Sequence, residues 1–186
     1  MTPPRTVPDI IRECAEIGAS VATVFTANFA EVGNEGRALQ EEIVDIGRAG
    51  GVRLIGPNCI GIIGIKPSLA LTANSIMELP ELPRGGISVI SQSGSLLGTF
   101  ISRGIDRGIG FAKLVSIGNE CDLTAAEVAD TLVDDPETET ILLFLETIRD
   151  AERLASAARR AQAAGKPVLV YKLGRSDAAN AVAASH

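Results

Sequence analysis

The sequence predicts a doubly wound α/β architecture in two parts, a short helix–strand–helix–strand segment followed by a complete parallel-sheet domain from residue 86 onward. Three observations carry this. In the second part four apolar, β-branched-rich runs (87–90, 111–117, 140–145 and 168–171) alternate with segments of helical period. Hydrophobic residues make up 46% of the chain but aromatic residues only 3%, so its core must come from Val, Ile, Leu and Ala, as in parallel sheets covered by helices on both faces. Polar tips follow the strands at 91–94, 118–122, 146 and 172–175, and in a doubly wound sheet such tips share one rim.

In the first part, Pro8 and Asp9 open a helical pattern that runs to Ile17 and closes at Gly18. Residues 20–26 read as a strand, 27–36 as a polar loop, and 37–49 as an amphipathic helix with Leu39, Ile43, Val44 and Ile46 inward. Gly50-Gly51 stops that helix. A second strand at 52–55 runs into the loop Gly56-Pro57-Asn58-Cys59-Ile60-Gly61. This segment opens on a helix, and two strands bury little apolar surface. It is therefore expected to be the second half of a domain, and no GxGxxG loop occurs in it.

Residues 66–86 carry Pro67, Pro80, Pro83 and Gly85-Gly86 and read as an irregular connection. The strand at 87–90 then ends in Ser91-Gln92-Ser93-Gly94, which turns into a helix over 94–103. Backbone N–H groups of a first helical turn have no intrahelical partner, so this tip can cradle a phosphate or carboxylate. The plain alternative is that Ser93 is only an N-cap and Gly94 only closes the turn. Thr124, with Glu127 three residues on, predicts a capping box for a helix reaching Val133. An alanine-rich helix is expected over 150–164, before the strand at 168–171.

Formal charge is −6, which argues against a nucleic-acid or anionic-membrane surface. Cys14, Cys59 and Cys121 lack metal-ligand spacing and leave one thiol over in any disulfide scheme, so a reducing compartment is expected. No apolar stretch approaches the length of a membrane span, and the expectation is a soluble, cytoplasmic protein.

Glu146 ends an apolar strand, where a carboxylate has to be solvated, paired or functional. It could simply clear the sheet edge and pair with Arg149, or it could orient a charged histidine. The chain's only histidine, His186, becomes interesting as a phosphoryl acceptor, because a carboxylate on one ring nitrogen fixes the tautomer and raises the basicity of the other. A helix N-terminus would hold the phosphoryl oxygens. No magnesium-holding carboxylate cluster or Lys-bearing P-loop is visible, so a nucleotide would be bound elsewhere. Asn58 and Cys59 lie in a tight loop where packing or ligand contact is expected, rather than a nucleophilic cysteine.

The ordered set Asn28-Phe29-Ala30-Glu31, Leu54-Ile55-Gly56-Pro57-Asn58-Cys59, Ser91-Gln92-Ser93-Gly94, Gly108-Ile109-Gly110-Phe111, Ser116-Ile117-Gly118-Asn119-Glu120, Asp134-Asp135-Pro136-Glu137, Leu145-Glu146 and Gly174-Arg175-Ser176 through His186 resembles the ADP-forming (NDP-forming) acyl-CoA synthetases, relatives of the succinyl-CoA synthetase α subunit. The resemblance implies that residues 1–68 are the C-terminal half of a CoA-binding Rossmann-like domain, 69–85 a linker, and 86–186 a flavodoxin-like ligase domain. It implies further that His186 is phosphorylated from an acyl phosphate, that Glu146 binds it, and that Ser91, Gln92, Ser93 and Gly94 receive phosphate. Asn58 and Cys59 are placed near the thiol end of CoA.

ATP or ADP with magnesium is expected on an ATP-grasp domain or β-type subunit, and the substrate is expected to be acetate or another small carboxylic acid. Arg149-Asp150 after Glu146 resembles the acyl-CoA branch rather than the succinate branch. Relative to that family the first β-α-β unit is missing and nothing follows His186, so a fragment inactive by itself is expected. The alternatives are a CoA-binding regulatory region of a protein acetyltransferase, or a non-catalytic piece of the ligase scaffold.

Overall fold

The computed structural model describes residues 2–73 and 82–174. Its first part contains α1 (Val7–Glu16), β1 (Val21–Thr23), α2 (Asn34–Ala49) and β2 (Arg53–Ile55). The two strands are parallel, with Val21 opposite Arg53. Both helices pack on them around Val7, Ile11, Phe29, Ile43 and Leu54, all buried. The apolar positions of α1 and α2 recur at helical spacing, so each helix turns one stripe inward. Burying a side chain the size of Phe29 or Ile43 contributes about 2–3 kcal/mol.

The second part is a six-stranded sheet. It comprises β3 (Gly61–Gly64), β4 (Leu69–Thr72), β5 (Arg84–Ser91), β6 (Phe111–Ser116), β7 (Thr140–Leu145) and β8 (Val168–Lys172), in the spatial order β4-β3-β6-β5-β7-β8. Strands β6, β5, β7 and β8 are mutually parallel. They are connected by α3 (Gly94–Ile105), α4 (Ala125–Val133) and α5 (Ala151–Ala163). Alternate residues of the central strands face opposite layers. Val89 and Leu114 pack with Leu97 and Ile101 of α3. Ile90, Ile141 and Leu143 pack with Leu132, Ala157 and Ala161 of α4 and α5.

The chain leaves β5 to one side for β6 and crosses back to the other side for β7. The strand order therefore reverses at β5, and the crevice beyond the C-terminal ends of β5 and β7 is where ligands bind in open α/β sheets. Two expected helix caps are present, whereas α2 begins at Asn34, within the loop expected over 27–36. Ser93 caps α3 through its hydroxyl, and Thr124 and Glu127 form the capping box of α4.

One expectation is corrected. Residues 69–72, read as part of an irregular linker, form β4, which pairs antiparallel with β3 (Gly64 opposite Leu69). Strand β3 pairs antiparallel with β6 (Ile62 opposite Val115). Segments this short, broken by Gly61, Gly64 and Pro67, carry little local signal; the edge of β6, some fifty residues on, supplies the pairing. The first strand is also shorter than the 20–26 expected.

The loop after β6 joins the two parts. Asn119 N–H donates to Pro57 O (2.9 Å), Cys121 N–H to Gly56 O (3.0 Å) and Leu123 N–H to Leu54 O (3.0 Å). The loop thus lies along the end of β2 like a further strand. Gly118 has φ +54°, and a Cβ there would fall 2.1 Å from Pro57 O, so only glycine allows this approach. Among the described residues no helix is long and apolar enough to cross a membrane.

Candidate functional site

At the end of β5 the backbone of Ser91 is held in the sheet and its hydroxyl donates to Ser93 O (2.6 Å). This bond tightens the turn that starts α3. Ser93 Oγ accepts from Leu96 N–H (3.4 Å), one of the first-turn N–H groups that have no partner within the helix. A Cβ on Gly94 would lie 2.8 Å from Ile60 Cγ2, so the loop from the first part sits directly against this tip. Ile60 N–H in turn donates to Ser116 Oγ at the end of β6 (3.1 Å).

Gln92 connects this tip to the next strand. Its backbone N–H donates to Phe144 O (3.2 Å). Its side-chain Oε1 accepts from the backbone N–H groups of Glu146 (2.5 Å) and Thr147 (2.9 Å). Its Nε2 donates to Glu120 Oε2 (2.6 Å) and faces Thr147 O (3.0 Å) and Thr147 Oγ1 (3.2 Å). The serine tip and the acidic strand end therefore share one rim, and a buried amide bolts them together. Gln92 was expected to contact phosphate; its side chain is instead engaged within this clasp.

Glu120 lies beneath the clasp at φ +51°, with its side chain only 2% exposed. Its Oε1 accepts from the Ala125 N–H at the start of α4, and Arg149 Nε stands 3.7 Å from Oε2. Burial pushes its carboxyl above the usual range, against the lowering effect of the Ala125 N–H, the Gln92 amide and Arg149. Glu120 was legible only as part of a motif, because nothing local shows that its carboxylate turns inward. Glu146 is partly buried at the end of β7. Arg149, the partner considered for it, lies beside Glu120.

Asn58 adopts φ +57°, and its Nδ2 donates to Asn119 Oδ1 (3.3 Å). Asn119 Nδ2 donates onward to Glu31 Oε2 (2.5 Å) and Gln40 Oε1 (3.0 Å). The Asn58 amide thus ties its loop to the second part. The Cys59 residue is 4% exposed, its Sγ donates to Val24 O (3.4 Å), and burial pushes the thiol up to about 11. A thiol in that state is not a nucleophile near neutral pH. At the end of β8, Leu173 N–H donates to Leu145 O (2.8 Å), which sets residues 172–174 next to Glu146. His186 lies outside the described residues, as do Arg175 and Ser176. Among the described residues no three His, Cys, Asp or Glu side chains are grouped to hold a metal.

Comparison with known proteins places this rim in a family. Residues 84–186 match the succinyl-CoA ligase like flavodoxin domain, and residues 1–65 match a CoA binding domain. The α subunit of ADP-forming acetate–CoA ligase II from Pyrococcus furiosus is 35% identical over 186 residues, covering 100% of this chain and 39% of that subunit. An ADP-forming acetate–CoA ligase from Methanocaldococcus jannaschii is 34% identical over 180 residues, covering 97% of this chain and 24% of that enzyme. The acetyl-coenzyme A synthetase 1 of Candidatus Korarchaeum cryptofilum, solved with phosphate and ADP, superposes with a TM-score of 0.90 at 32% identity. That match covers 100% of this chain and 39% of the solved one, so the chain spans less than half the length of these relatives. Similar over its whole length to part of these ADP-forming acetate–CoA ligases, and with a CoA-binding segment at 1–65, the chain belongs to the succinyl-CoA ligase like flavodoxin domain family.

Proposed function

We propose that this chain is the phosphoryl-relay part of an ADP-forming acid–CoA ligase, acting on acetate or another small carboxylic acid through an acyl phosphate and a phosphohistidine. The observation that carries this reading is the Gln92 clasp, which holds the helix N-terminus after β5 and the strand end bearing Glu146 together at the switch point of the sheet. Such a crevice suits one phosphoryl group shared between backbone donors on one side and an imidazole backed by a carboxylate on the other.

In the direction that makes ATP, inorganic phosphate displaces the CoA thiolate from the acyl carbon and leaves an acyl phosphate. A neutral ring nitrogen of His186 then attacks phosphorus; the N–P bond forms as the bond to the carboxylate oxygen breaks, and the acid leaves. A terminal oxygen of ADP next attacks phosphorus and breaks the N–P bond. Ser93, Gly94 and the first N–H groups of α3 hold the phosphoryl oxygens, in a turn that Ser91 and Gln92 shape from behind. Glu146 accepts from the other ring nitrogen of His186 and stabilises its positive charge. The loop of Asn58 and Cys59 meets the thiol end of CoA, with Cys59 supporting the loop from within. The nucleotide and its magnesium sit on an ATP-grasp domain or β-type subunit.

The test supplies this chain, within its full-length protein, with that partner, magnesium and ATP labelled at the γ position. A base-stable, acid-labile label is expected on the wild type. It should be absent from His186→Ala and form about 10²-fold more slowly in Glu146→Ala, the scale on which misplacing a reacting group costs rate. An unlabelled wild type contradicts the proposal.

A further inference from the structure

We propose that Glu120 is the positioning residue for Glu146, acting through Gln92, whose amide it locks in the one orientation that holds the β7 strand end at the crevice. The proposal rests on the phosphohistidine reading above. An amide is nearly symmetric in shape, so packing alone cannot decide which end of Gln92 faces which neighbour. The neighbours decide it. On one side stand two donors, the N–H groups of Glu146 and Thr147 at 2.5 and 2.9 Å from Oε1; on the other stand the carboxylate of Glu120, the nearest acceptor at 2.6 Å from Nε2, and the Thr147 O and Oγ1 at 3.0 and 3.2 Å. A carboxylate only accepts, and a backbone N–H only donates. Turning the amide over would set oxygen against oxygen at Glu120 and N–H against N–H at both backbone groups.

Glu120 is itself fixed. One of its oxygens is held by the Ala125 N–H at the start of α4, which leaves the other for Gln92. Arg149 approaches that second oxygen from the loop after β7, and the side chain is 2% exposed. Its backbone is held at φ +51°, which a residue with a Cβ seldom adopts. A charge buried in this way needs such donors, because an unpaired one is costly. No atom of Glu120 needs to reach the phosphoryl group for the chain Glu120–Gln92–Glu146 to set where the Glu146 carboxylate emerges.

Glu120→Gln keeps shape and volume but has one acceptor oxygen instead of two. With that oxygen on the Ala125 N–H, the new NH2 group faces the NH2 of Gln92 and opposes its orientation. Two measurements test this. In the wild-type chain, 15N NMR at pH 7 should find one Gln92 side-chain NH2 proton shifted downfield and slow to exchange with water, and Glu120→Ala should move it back toward the free-amide position; a wild-type NH2 pair at free-amide shifts, or no change in the variant, would overturn the proposal.

In the labelling reaction, Glu120→Gln should slow label formation at saturating ATP about tenfold or more, with the half-saturating ATP concentration unchanged and the loss exceeding any fraction unfolded at the assay temperature. Equal labelling of variant and wild type, or a loss that only tracks the fraction unfolded, overturns it while leaving the phosphohistidine reading intact. No label on the wild type removes that reading and this inference with it. Should the variant not fold, the wild-type NMR signature decides.

Discussion

Two buried carboxylates two residues apart, Glu120 and Asp122, face opposite regions of the molecule and are handled in opposite ways. Asp122 faces the junction with the first part. Its side chain is also 2% exposed, and Arg53 Nε (2.7 Å), Leu54 N–H (3.0 Å) and Arg48 Nε (3.3 Å) surround it. Burial pushes its carboxyl up, but the bonds from Arg53, Leu54 and Arg48 outweigh burial and leave it below the usual range. Glu120 faces the rim, where neutral donors and one more distant guanidinium do not outweigh burial, and its carboxyl ends above the usual range. The junction is an ion-paired weld. The rim is a polar clasp whose geometry depends on orientation more than on charge neutralisation.

The sharpest way to break the weld is Gly118→Ala. It adds a Cβ where φ is +54° and Pro57 O, a backbone atom, would stand 2.1 Å away. The left-handed backbone and the clash together should cost about 3 kcal/mol in urea unfolding. Asp122→Ala comes next. It removes the acceptor of the Leu54 N–H and the partner of two arginines, and should cost about 2 kcal/mol. That is less than for a fully buried pair, because Arg48 and Arg53 remain largely in water.

Varying pH separates the two carboxylates directly. The lowered Asp122 contributes stability above its ordinary pKa of about 3.9, lost as pH falls through its folded value. The raised Glu120 contributes in the other sense: its stabilisation is present below about 4.3 and is lost as pH rises from there through its folded value. Unfolding free energies of Asp122→Asn and Glu120→Gln, each subtracted from wild type across this range, should therefore slope in opposite directions. The smallest effect is expected for Thr124→Ala, which removes half of the capping box between these regions and should cost about 1 kcal/mol in the same unfolding assay.

The strands β5, β6, β7 and β8 and the helices between them were readable because continuous apolar runs and helical periods are local signals. The caps at Ser93 and Thr124 were readable for the same reason. The hairpin β3–β4 was not, since its pairing energy comes from β6 rather than from its own four-residue strands. At the site, the tip 91–94 and Glu146 could be named from their places at strand ends. The inward turn of Gln92 and Glu120 could not, because the partners of Gln92 lie 28 and 54 residues along the chain and no spacing rule reaches so far. Asp122 was hidden likewise by arginines 69 and 74 residues away.

The proposed relay is tested most directly by one observable, the atom that carries the phosphoryl group. Mass-spectrometric localisation under alkaline conditions, on the full-length protein labelled from ATP with its nucleotide-binding partner, should place a single phosphoryl group on the imidazole of His186. A phosphoryl group on Ser91, Ser93 or Ser95 of the tip, or none at all, would contradict the account.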